Sequence, residues 1–427
     1  MHRIKSKGYS VIPLAFTGIA AALLEGGQTI HSKFRIPIPT DSNSVSLLCI
    51  SSPTSYEIRF SKLIIIDEAS QLSYYVLECI DRFLRDITKK NIPFGGIVVM
   101  LSGDFRQCPP IPDIGSLETA SNISIKRSFL WKYFNQLRLT ENVRAKPEEV
   151  EFKSWLMNLG DGLLPEIDQD CLVRLPDQIL CQGNIIDSVF GYGDISLDYL
   201  NQRNVAILCP TNKDSLAIND LILNRLVGEE TEYLSNTRIE TENPDDILDY
   251  PLEYALDETP SGYPPHRLKL KVGAIIMLVR NWSISDCLCN GTRLIVVACN
   301  RNLIRASILY GPRAGTEYSF SRTVFRPQGN KTSVRLIRIQ FPFRLAFSMT
   351  INKSQGQTFD RVGILLREPV FSHGQLYVAA ARVASFSSLI ILVCTILEGN
   401  KRQGEIFGYA GCYTKNVVDK SLLNNFS

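Results

Sequence analysis

Short apolar runs and amphipathic stretches alternate along residues 9–146. The runs YSVIPLAF (9–16), LIIIDEAS (63–70) and GGIVVMLSGD (95–104) predict strands, the last two of them buried. From Val76 to Ile87 apolar residues recur every three or four positions, which is typical of one face of a helix. Strands that alternate with helices and end in polar residues predict βαβ units and a parallel sheet.

A second α/β region is predicted by the same kind of pattern. Strand-like runs recur at 204–212, 360–366 and 387–396, whereas residues from about 225 to 340 are rich in Pro, Gly, Thr and Asn with short β-like runs. That composition predicts a small β-rich module inserted in the second region. The predicted domains are 1–146, with a short, exposed Ser/Pro-rich insertion at 36–60; 147–224, the start of the second domain; 225–340, the insert; and 341–427, the remainder of the second domain.

Bulk composition narrows the class of protein without identifying a function. A chain of 427 residues, 45% hydrophobic and 21% charged, is long enough for two or three ordinary globular domains. The formal net charge of +3 permits a nucleic acid partner without arguing for one. Eleven cysteines without a Cys-x-x-Cys favour reduced thiols in an intracellular protein over a zinc site. No stretch approaches the ~20 apolar residues of a membrane span, so we expect no membrane partner.

Two adjacent acids, Asp67 and Glu68, directly follow a run of four apolar residues. At the carboxyl end of a parallel strand, where ligands bind, such a pair can hold Mg²⁺ and polarise an attacking water. This is the acidic half of a nucleoside-triphosphate site. Taken alone, the pair is equally typical of a solvated strand end, so its neighbours decide the interpretation.

Three further side chains occur where phosphate chemistry would need them. Gln107 follows the next predicted strand and offers both a donor and an acceptor to a terminal phosphate and its attacking water. Arg144 follows a polar turn, and Arg382 falls on a predicted helix among small residues, as an arginine finger would. The turn MTINKSQGQTFD (349–360) could bring backbone N–H groups close to phosphates. Each has a plain alternative, an exposed arginine or an ordinary loop, and only their joint order is specific.

In that order the motifs resemble superfamily-one DNA helicases of the PIF type (petite integration frequency), most of all the helicase domains carried by Helitron transposons. The resemblance runs through almost the whole chain, from SKGYSVIPLAFTGIAAALLEGGQTIHSKFRIPI (6–38) through IIIDEASQ, GGIVVMLSGDFRQCPPI and SIKRSFLWKYFNQLRLTENVR to MTINKSQGQTFDRVGI and HGQLYVAAARV. It implies two RecA-like parallel-sheet domains with an SH3-like β insert in the second. It also implies an ATP-dependent, 5′-to-3′ helicase acting on single-stranded and duplex DNA, and hence a nuclear or mitochondrial location.

The resemblance also implies roles for individual residues. Asp67 would bind Mg²⁺, Glu68 would activate water and Gln107 would sense the γ-phosphate of ATP, while Arg144 and Arg382 would stabilise charge. The remaining implied residues divide into nucleotide-binding Gln355 and Gly356, and DNA-binding Thr17, Gly18, His31, Lys353 and Ser354. Contacts of this kind with the DNA backbone bind without reading sequence.

One part of such an enzyme is missing from the sequence. A helicase of this type needs a loop G-x-x-x-x-G-K-[ST], whose amides and lysine hold the phosphates. No glycine in the chain is followed by lysine, and GNKTS (329–333) has the composition without the spacing. By comparison with the family, Met1 falls in the helix after that loop, so we expect the first strand and the loop to be absent. Weak ATP binding and a destabilised first domain with exposed neighbouring strands should follow.

Three functions are compatible with these observations. The first is an ATP-dependent DNA helicase of which this chain is an incomplete copy. The second is a non-catalytic, DNA-binding remnant of a transposon helicase. The third, an ATPase that moves no nucleic acid, is disfavoured by the DNA-facing motifs. The biological process, whether transposition, telomere upkeep, replication or repair, stays open.

Overall fold

The computed structural model describes residues 1–110, 120–167, 171–195, 200, 204–241, 256, 259–260, 262–326, 334–394, 404–405 and 410–423. Contacts divide the chain into two compact units. The first unit holds Met1–Cys181, Ser354–Thr358 and Ile364–Ser427, and the second holds Gln182–Lys353 and Phe359–Gly363. This division does not follow the domain boundaries expected at 146 and 340, which stay predictions. The GNKTS segment lies outside the described residues.

A four-stranded sheet forms the centre of the first unit. Its strands are β1 (Val11–Ala15), β2 (Gln28–Thr29), β3 (Leu63–Asp67) and β4 (Val98–Leu101), in the order β2–β1–β3–β4. All neighbouring strands are parallel. The parallel sheet expected from the sequence is therefore confirmed, and the carboxyl ends of β1, β3 and β4 share one edge.

The helix between β3 and β4 supports this sheet from one side. It spans Tyr74–Thr88, and Val76, Leu77, Ile80, Phe83, Leu84 and Ile87 are all buried. These side chains join the core that contains Ile64 and Ile66 of β3. The helix predicted from the spacing of apolar residues is confirmed, because that spacing places every one of them on the face that meets the sheet.

Strand β4 differs from its prediction. It was expected to be a buried strand, but Val98 is 62% and Met100 is 53% exposed, so that expectation is wrong. Only Val99 and Leu101, on the opposite face of the strand, pack against the core. Alternate side chains of a strand point to opposite faces of the sheet, and Val98 and Met100 lie on the face of β4 that the described residues leave open to solvent.

The Ser/Pro-rich segment 36–60 is only partly the exposed insertion that was expected. It ends in a helix, Pro53–Phe60, whose first turn is capped by the Ser52 side chain. Ile36, Leu48 and Ile58 are buried in the core of the first unit. Three apolar anchors therefore hold a segment whose composition alone is typical of a surface loop.

The remaining elements of the first unit are short apart from one helix of 12 residues, Val150–Asp161. A small antiparallel sheet joins strands from the middle and the end of the chain in the order Gly404–Glu405, Cys412–Lys415, Leu172–Arg174 and Glu166–Ile167. The other helices are His2–Lys5, Gly18–Leu23, Ile30–Phe34, Gln375–Ala380 and Lys420–Leu423, and one further strand is Leu389–Val393. No helix in the described part of the chain is long and apolar enough to cross a membrane.

The second unit combines parallel strands with antiparallel sheets. Val205–Cys209 pairs in parallel with Ser348–Thr350 and also neighbours Arg361–Leu366, whose first three residues belong to this unit. Its helices are Ile185–Phe190 and Asn212–Arg225. The antiparallel strands are Thr231–Leu234, Asn236–Thr241, Arg267–Leu270, Ile275–Leu278, Arg293–Cys299, Ile304–Ile308, Glu317–Phe320, Thr323–Phe325, Val334–Gln340 and Phe343–Leu345. The α/β fold and the β-rich character expected near 225–340 are confirmed.

Candidate functional site

Two acidic residues end the central strand β3. Asp67 is its last residue, and Glu68 turns the chain with φ 54° and ψ 37°, a left-handed conformation uncommon for a residue with a side chain. The Glu68 N–H donates to Asp67 Oδ1 at 3.0 Å, and Gln71 Nε2 donates to Glu68 Oε2 at 3.4 Å. Gly103 packs so closely on this turn that a Cβ would lie 2.7 Å from Ser70 N. The turn thereby holds both carboxyl groups at the carboxyl edge of the sheet.

The surroundings of Glu68 raise the pKa of its carboxyl above the ordinary value. Burial is the main cause, and the negative charge of Asp67 adds to it. The positive charge of Arg382 and the hydrogen bond from Gln71 act in the opposite direction. A carboxylate with a raised pKa accepts a proton more readily near neutral pH, which suits a group that polarises water.

Gln107 lies in the loop that follows β4, which comprises Asp104–Cys108 and is called the sensor loop below. Its backbone N–H donates to Asp104 O at 3.1 Å. Its side-chain Oε1 is buried and has no hydrogen-bond partner among the described residues. An unpaired buried acceptor destabilises the fold by roughly 1–3 kcal/mol, so a water that donated a hydrogen bond to this oxygen would remove that penalty.

Arg382 is almost fully buried, with 1% of its surface exposed. Its Nε donates to Val378 O at 2.8 Å and its Nη1 donates to Gln357 O at 3.1 Å. Burial and then the charge of Arg144 lower its pKa to about 10, while Glu68 opposes this shift. The guanidinium therefore stays charged at neutral pH. Its positive charge lowers the pKa of Glu68, which lies in the same unit.

The expected helical position of Arg382 is wrong. The helix spans Gln375–Ala380, and Arg382 follows its cap residue, Ala381. The Arg382 side chain itself donates to Val378 O, the carbonyl that the Arg382 N–H would bond if the helix continued. Arg144 contacts the same segment, because its Nη1 donates to Ala381 O at 2.9 Å. The first unit thus brings together Asp67, Glu68, Arg144 and Arg382, four of the five catalytic residues expected from the sequence.

The residues expected near DNA in the first unit lie at the ends of short helices. Thr17 caps the helix that begins at Gly18, and its Oγ1 accepts from Ala20 N–H at 3.2 Å. His31 Nδ1 lies 3.3 Å from Ile36 O and therefore donates to it. Burial lowers the pKa of His31, which keeps the imidazole neutral. Their assignment to DNA binding stays a prediction.

The NKSQG segment divides between the two units. Ser354 is fully buried, Gln355 Nε2 donates to Cys108 O at 3.4 Å, and Gly356 has φ 76°, a conformation that favours glycine. Gln355 therefore contacts the sensor loop directly. Lys353, in the second unit, has its pKa lowered to about 8, first by burial and then by the charge of Arg344.

Sequence reasoning missed a polar network around the sensor loop. Arg106 makes a paired contact with Asp161, with Nε at 2.7 Å from Oδ1 and Nη2 at 3.2 Å from Oδ2. The Tyr377 hydroxyl donates to Asp104 Oδ2 at 2.7 Å. The sequence shows Asp104 and Arg106 two positions apart. The side chains that contact them, Tyr377 and Asp161, lie 273 and 55 positions away in the chain. Periodicity carries no information on such distant pairs.

Asp67 fits the coordination habits of Mg²⁺. This ion usually takes one or two carboxylates and completes its shell with water and phosphate oxygens, so a single strand-end aspartate is sufficient. Within the described residues no three His, Cys, Asp or Glu side chains gather as a metal site, a number that Mg²⁺ bound to a nucleotide does not require. The fit of ATP is incomplete, because the sequence has no phosphate-binding loop.

Comparison with known proteins identifies the relatives of this chain. Residues 1–170 match the family model of PIF1-like helicases, and residues 259–299 match that of the 2B domain of DNA helicase Pif1. The human ATP-dependent DNA helicase PIF1 is 30% identical over 394 residues, which are 89% of this chain and 54% of the human protein. The chain spans only 54–60% of the length of the first vertebrate relatives that it matches.

Solved structures of Pif1 helicases are similar in fold to this chain. A Pif1 helicase from Bacteroides in complex with ADP-AlF3 and single-stranded DNA matches with a TM-score of 0.66 and 26% identity, over 91% of this chain and 84% of that one. A structure of two coordinating Pif1 helicases at forked double-stranded DNA matches with a TM-score of 0.65 and 27% identity, over 91% and 83%. The predicted resemblance to PIF-type helicases is confirmed, whereas the closer relation to Helitron helicases stays a prediction.

Proposed function

Because this chain is similar to PIF1-like helicases over most of its length, we propose that it carries the motor chemistry of an ATP-dependent DNA helicase. Asp67 would hold Mg²⁺, and Glu68 would polarise the attacking water. Gln107 would orient that water against the γ-phosphate, while Arg144 and Arg382 would stabilise the charge that develops on the phosphoryl group. The 5′-to-3′ direction of movement follows from the resemblance alone.

The mutual influence of Glu68 and Arg382 is the observation that carries this proposal. Arg382 is buried and Glu68 is half-buried in the first unit, and each shifts the pKa of the other. Cys108 also influences the pKa of Arg382. Cys108 directly follows Gln107, whose side-chain Oε1 has no hydrogen-bond partner among the described residues. A base, a cation and an unsatisfied acceptor at the carboxyl edge of a parallel sheet suit the transfer of a phosphoryl group to water better than they suit a purely structural role.

We further propose that residues 1–427 by themselves hydrolyse ATP poorly. The chain has no G-x-x-x-x-G-K-[ST], which would supply several charge-assisted hydrogen bonds of roughly 1.5–3 kcal/mol each. Without those hydrogen bonds ATP should bind weakly, so the acids at the end of β3 would seldom meet a bound nucleotide.

A second candidate function is DNA binding without catalysis. The same missing loop favours it, since Thr17, His31 and Lys353 could contact a DNA backbone whether or not ATP binds. Gly18 and Ser354 are buried, so contact of these two residues with DNA would need the surrounding structure to open. Single-stranded DNA and forked double-stranded DNA are named for the Pif1 structures that this chain resembles, and we propose both as its partners. A nuclear location, with mitochondria as the alternative, would follow from that substrate.

Strand displacement from tailed duplexes tests the helicase proposal. The chain is joined at its N-terminus to a strand and phosphate loop of the family type and is compared with the same protein carrying Glu68→Gln. We expect ATP-dependent unwinding of a duplex with a 5′ single-stranded tail, none with a 3′ tail, and none with Glu68→Gln. Binding of the tail without any unwinding by the joined protein would favour the non-catalytic function instead.

A further inference from the structure

The last described segment of the chain, Asn416–Leu423, packs against the elements that hold the sensor loop. The Asn416 side chain donates from Nδ2 to Leu159 O at 3.0 Å, and Val417 O accepts from the Gly374 N–H at 3.0 Å. Lys126 Nζ donates to Leu422 O at 2.7 Å and also lies 4.3 Å from the centre of the Phe105 ring. The end of the chain is therefore tied at several points to the neighbourhood of Phe105, a residue of the sensor loop.

His373 makes the direct link between this end segment and the sensor loop. Its Nδ1 accepts from the Asp419 N–H at 2.8 Å, and its Nε2 lies 2.8 Å from Phe105 O. A backbone N–H can only donate and a carbonyl can only accept, so the geometry fixes one tautomer, neutral with its proton on Nε2. With 5% of its surface exposed, His373 has a pKa lowered mainly by burial, against the opposing effects of Phe105 O, Asp419 and Asp104.

Two neighbours of His373 hold the same loop from the same side. Gly374, with φ 72°, packs so closely on the Arg106 carbonyl that no Cβ can fit between them. Tyr377 donates from its hydroxyl to Asp104 Oδ2 at 2.7 Å. Residues 373–377 therefore contact Asp104, Phe105 and Arg106 in turn, and these three residues directly precede Gln107.

We propose that His373 is a positioning residue, whose neutral imidazole fixes the sensor loop to the end segment and thereby sets the place of the Gln107 side chain. The inference rests on the proposed role of Gln107. His373 itself touches no reacting atom. Its contribution is to remove freedom from a loop whose catalytic oxygen must meet a water within a few tenths of an ångström.

The two ring nitrogens can be tested separately by conservative variants. His373→Asn retains an acceptor near the Nδ1 position and loses the donor to Phe105 O. His373→Gln retains a donor near the Nε2 position and loses the acceptor for the Asp419 N–H. His373→Ala loses both. Hydrogen–deuterium exchange of the full chain without nucleotide then reports on each partner, while the amides of Leu63–Asp67 serve as an internal control for global unfolding.

We expect His373→Asn to speed exchange at Arg106 and Gln107 by on the order of tenfold, as for the loss of one buried hydrogen bond, while the end segment keeps its protection. His373→Gln should speed exchange at Asp419 and leave the sensor loop protected. His373→Ala should speed both, with β3 unchanged. Unchanged loop exchange in His373→Ala, or the same pattern in the Asn and Gln variants, would overturn the proposal.

Turnover separates this inference from the proposed function. In the protein joined to a phosphate loop, His373→Asn should lower kcat for ATP by about tenfold at an unchanged KM, and His373→Gln should retain most of the parent kcat. Equal turnover in the parent and in His373→Asn would show that the loop contact does not position Gln107. Absence of turnover in the parent would contradict the proposed function, while the exchange pattern would still decide whether His373 holds the loop.

Discussion

Arg382 and Glu68 lie in the same compact unit, and the charge on each side chain stabilises the charge on the other against the effect of burial. Burial raises the pKa of Glu68 and lowers that of Arg382 to about 10. Keeping both side chains charged in the folded protein therefore costs free energy. Groups kept charged against desolvation are typical of sites where charge is needed for chemistry. The relationship therefore predicts a conflict between stability and activity at Glu68.

Glu68→Gln should stabilise the fold near neutral pH, and it should abolish ATP hydrolysis by the protein joined to a phosphate loop. The folded-state pKa of Glu68 is raised, so the protonated form is favoured in the fold and stability is lost as pH rises from 4.5 through the raised pKa. A neutral amide avoids that loss and can still accept the hydrogen bond from Gln71. We expect the unfolding temperature at pH 7 to rise by roughly 1–3 °C, measured by scanning calorimetry.

The pH dependence provides the control for this effect. The difference between Glu68→Gln and the parent should vanish below pH 4.5, where the carboxyl is protonated in both the folded and the unfolded chain. A variant that was less stable than the parent at pH 7, or equally stable at every pH, would contradict the electrostatic account of Glu68.

Gly374→Ala should destabilise the first unit more than its backbone angle explains. Gly374 and Gly26 both have φ 72°, but a Cβ on Gly26 would meet nothing within 4 Å whereas one on Gly374 would collide with the Arg106 carbonyl. Gly26→Ala should therefore cost only the left-handed conformation, about 1–2 kcal/mol. Gly374→Ala should cost roughly a further 1–3 kcal/mol from overpacking, measured by urea unfolding. Equal losses in the two variants would mean that the sensor loop yields to the added methyl group.

Lys353 should make binding of single-stranded DNA depend on pH between 7 and 9. Burial and Arg344 lower its pKa to about 8, so the side chain is mostly charged at pH 7 and mostly neutral at pH 9. If it contacts a phosphate, affinity should fall by roughly tenfold over this interval as a charge-assisted hydrogen bond is lost. Fluorescence anisotropy at constant ionic strength measures this change.

Lys353→Arg is the matched control for the DNA contact, because a guanidinium stays charged throughout that interval. Its affinity should vary little between pH 7 and pH 9. A parent protein whose affinity did not change with pH, or an arginine variant with the same decline, would remove Lys353 from the DNA-binding residues.

Local patterns in the sequence predicted the elements whose neighbours lie close in the chain. Helix Tyr74–Thr88 follows from the spacing of its apolar residues, and strands β1 and β3 follow from their continuous apolar runs. The exposure of β4 could not be predicted in this way. An apolar run of four residues looks the same whether one face of its strand is covered or both, and only the packing of other elements on the sheet distinguishes the two.

The residues of the candidate site also divide into those that local sequence patterns predict and those that they do not. Asp67 and Glu68 could be found because they end an apolar strand run, and Gln107 because it lies in the loop that follows the next one. The end of the helix before Arg382 could not, because the Ala-rich sequence favours continuing the helix and the Arg382 side chain takes the Val378 carbonyl instead. His373 had no sequence signal at all, since its partners Phe105 and Asp419 lie far away in the chain and offer only backbone atoms.

Release of phosphate from ATP by purified residues 1–427, with and without single-stranded DNA and beside Glu68→Gln, tests whether the absent phosphate loop limits the activity of this chain. We expect little or no DNA-stimulated release by this chain. Once a family-type phosphate loop is joined to it, we expect release that the Glu68→Gln change abolishes. Rapid DNA-stimulated release by the chain alone, abolished by Glu68→Gln, would contradict the claim that the missing loop limits activity. No release after the loop is added would contradict the catalytic roles of Glu68, Gln107 and Arg382.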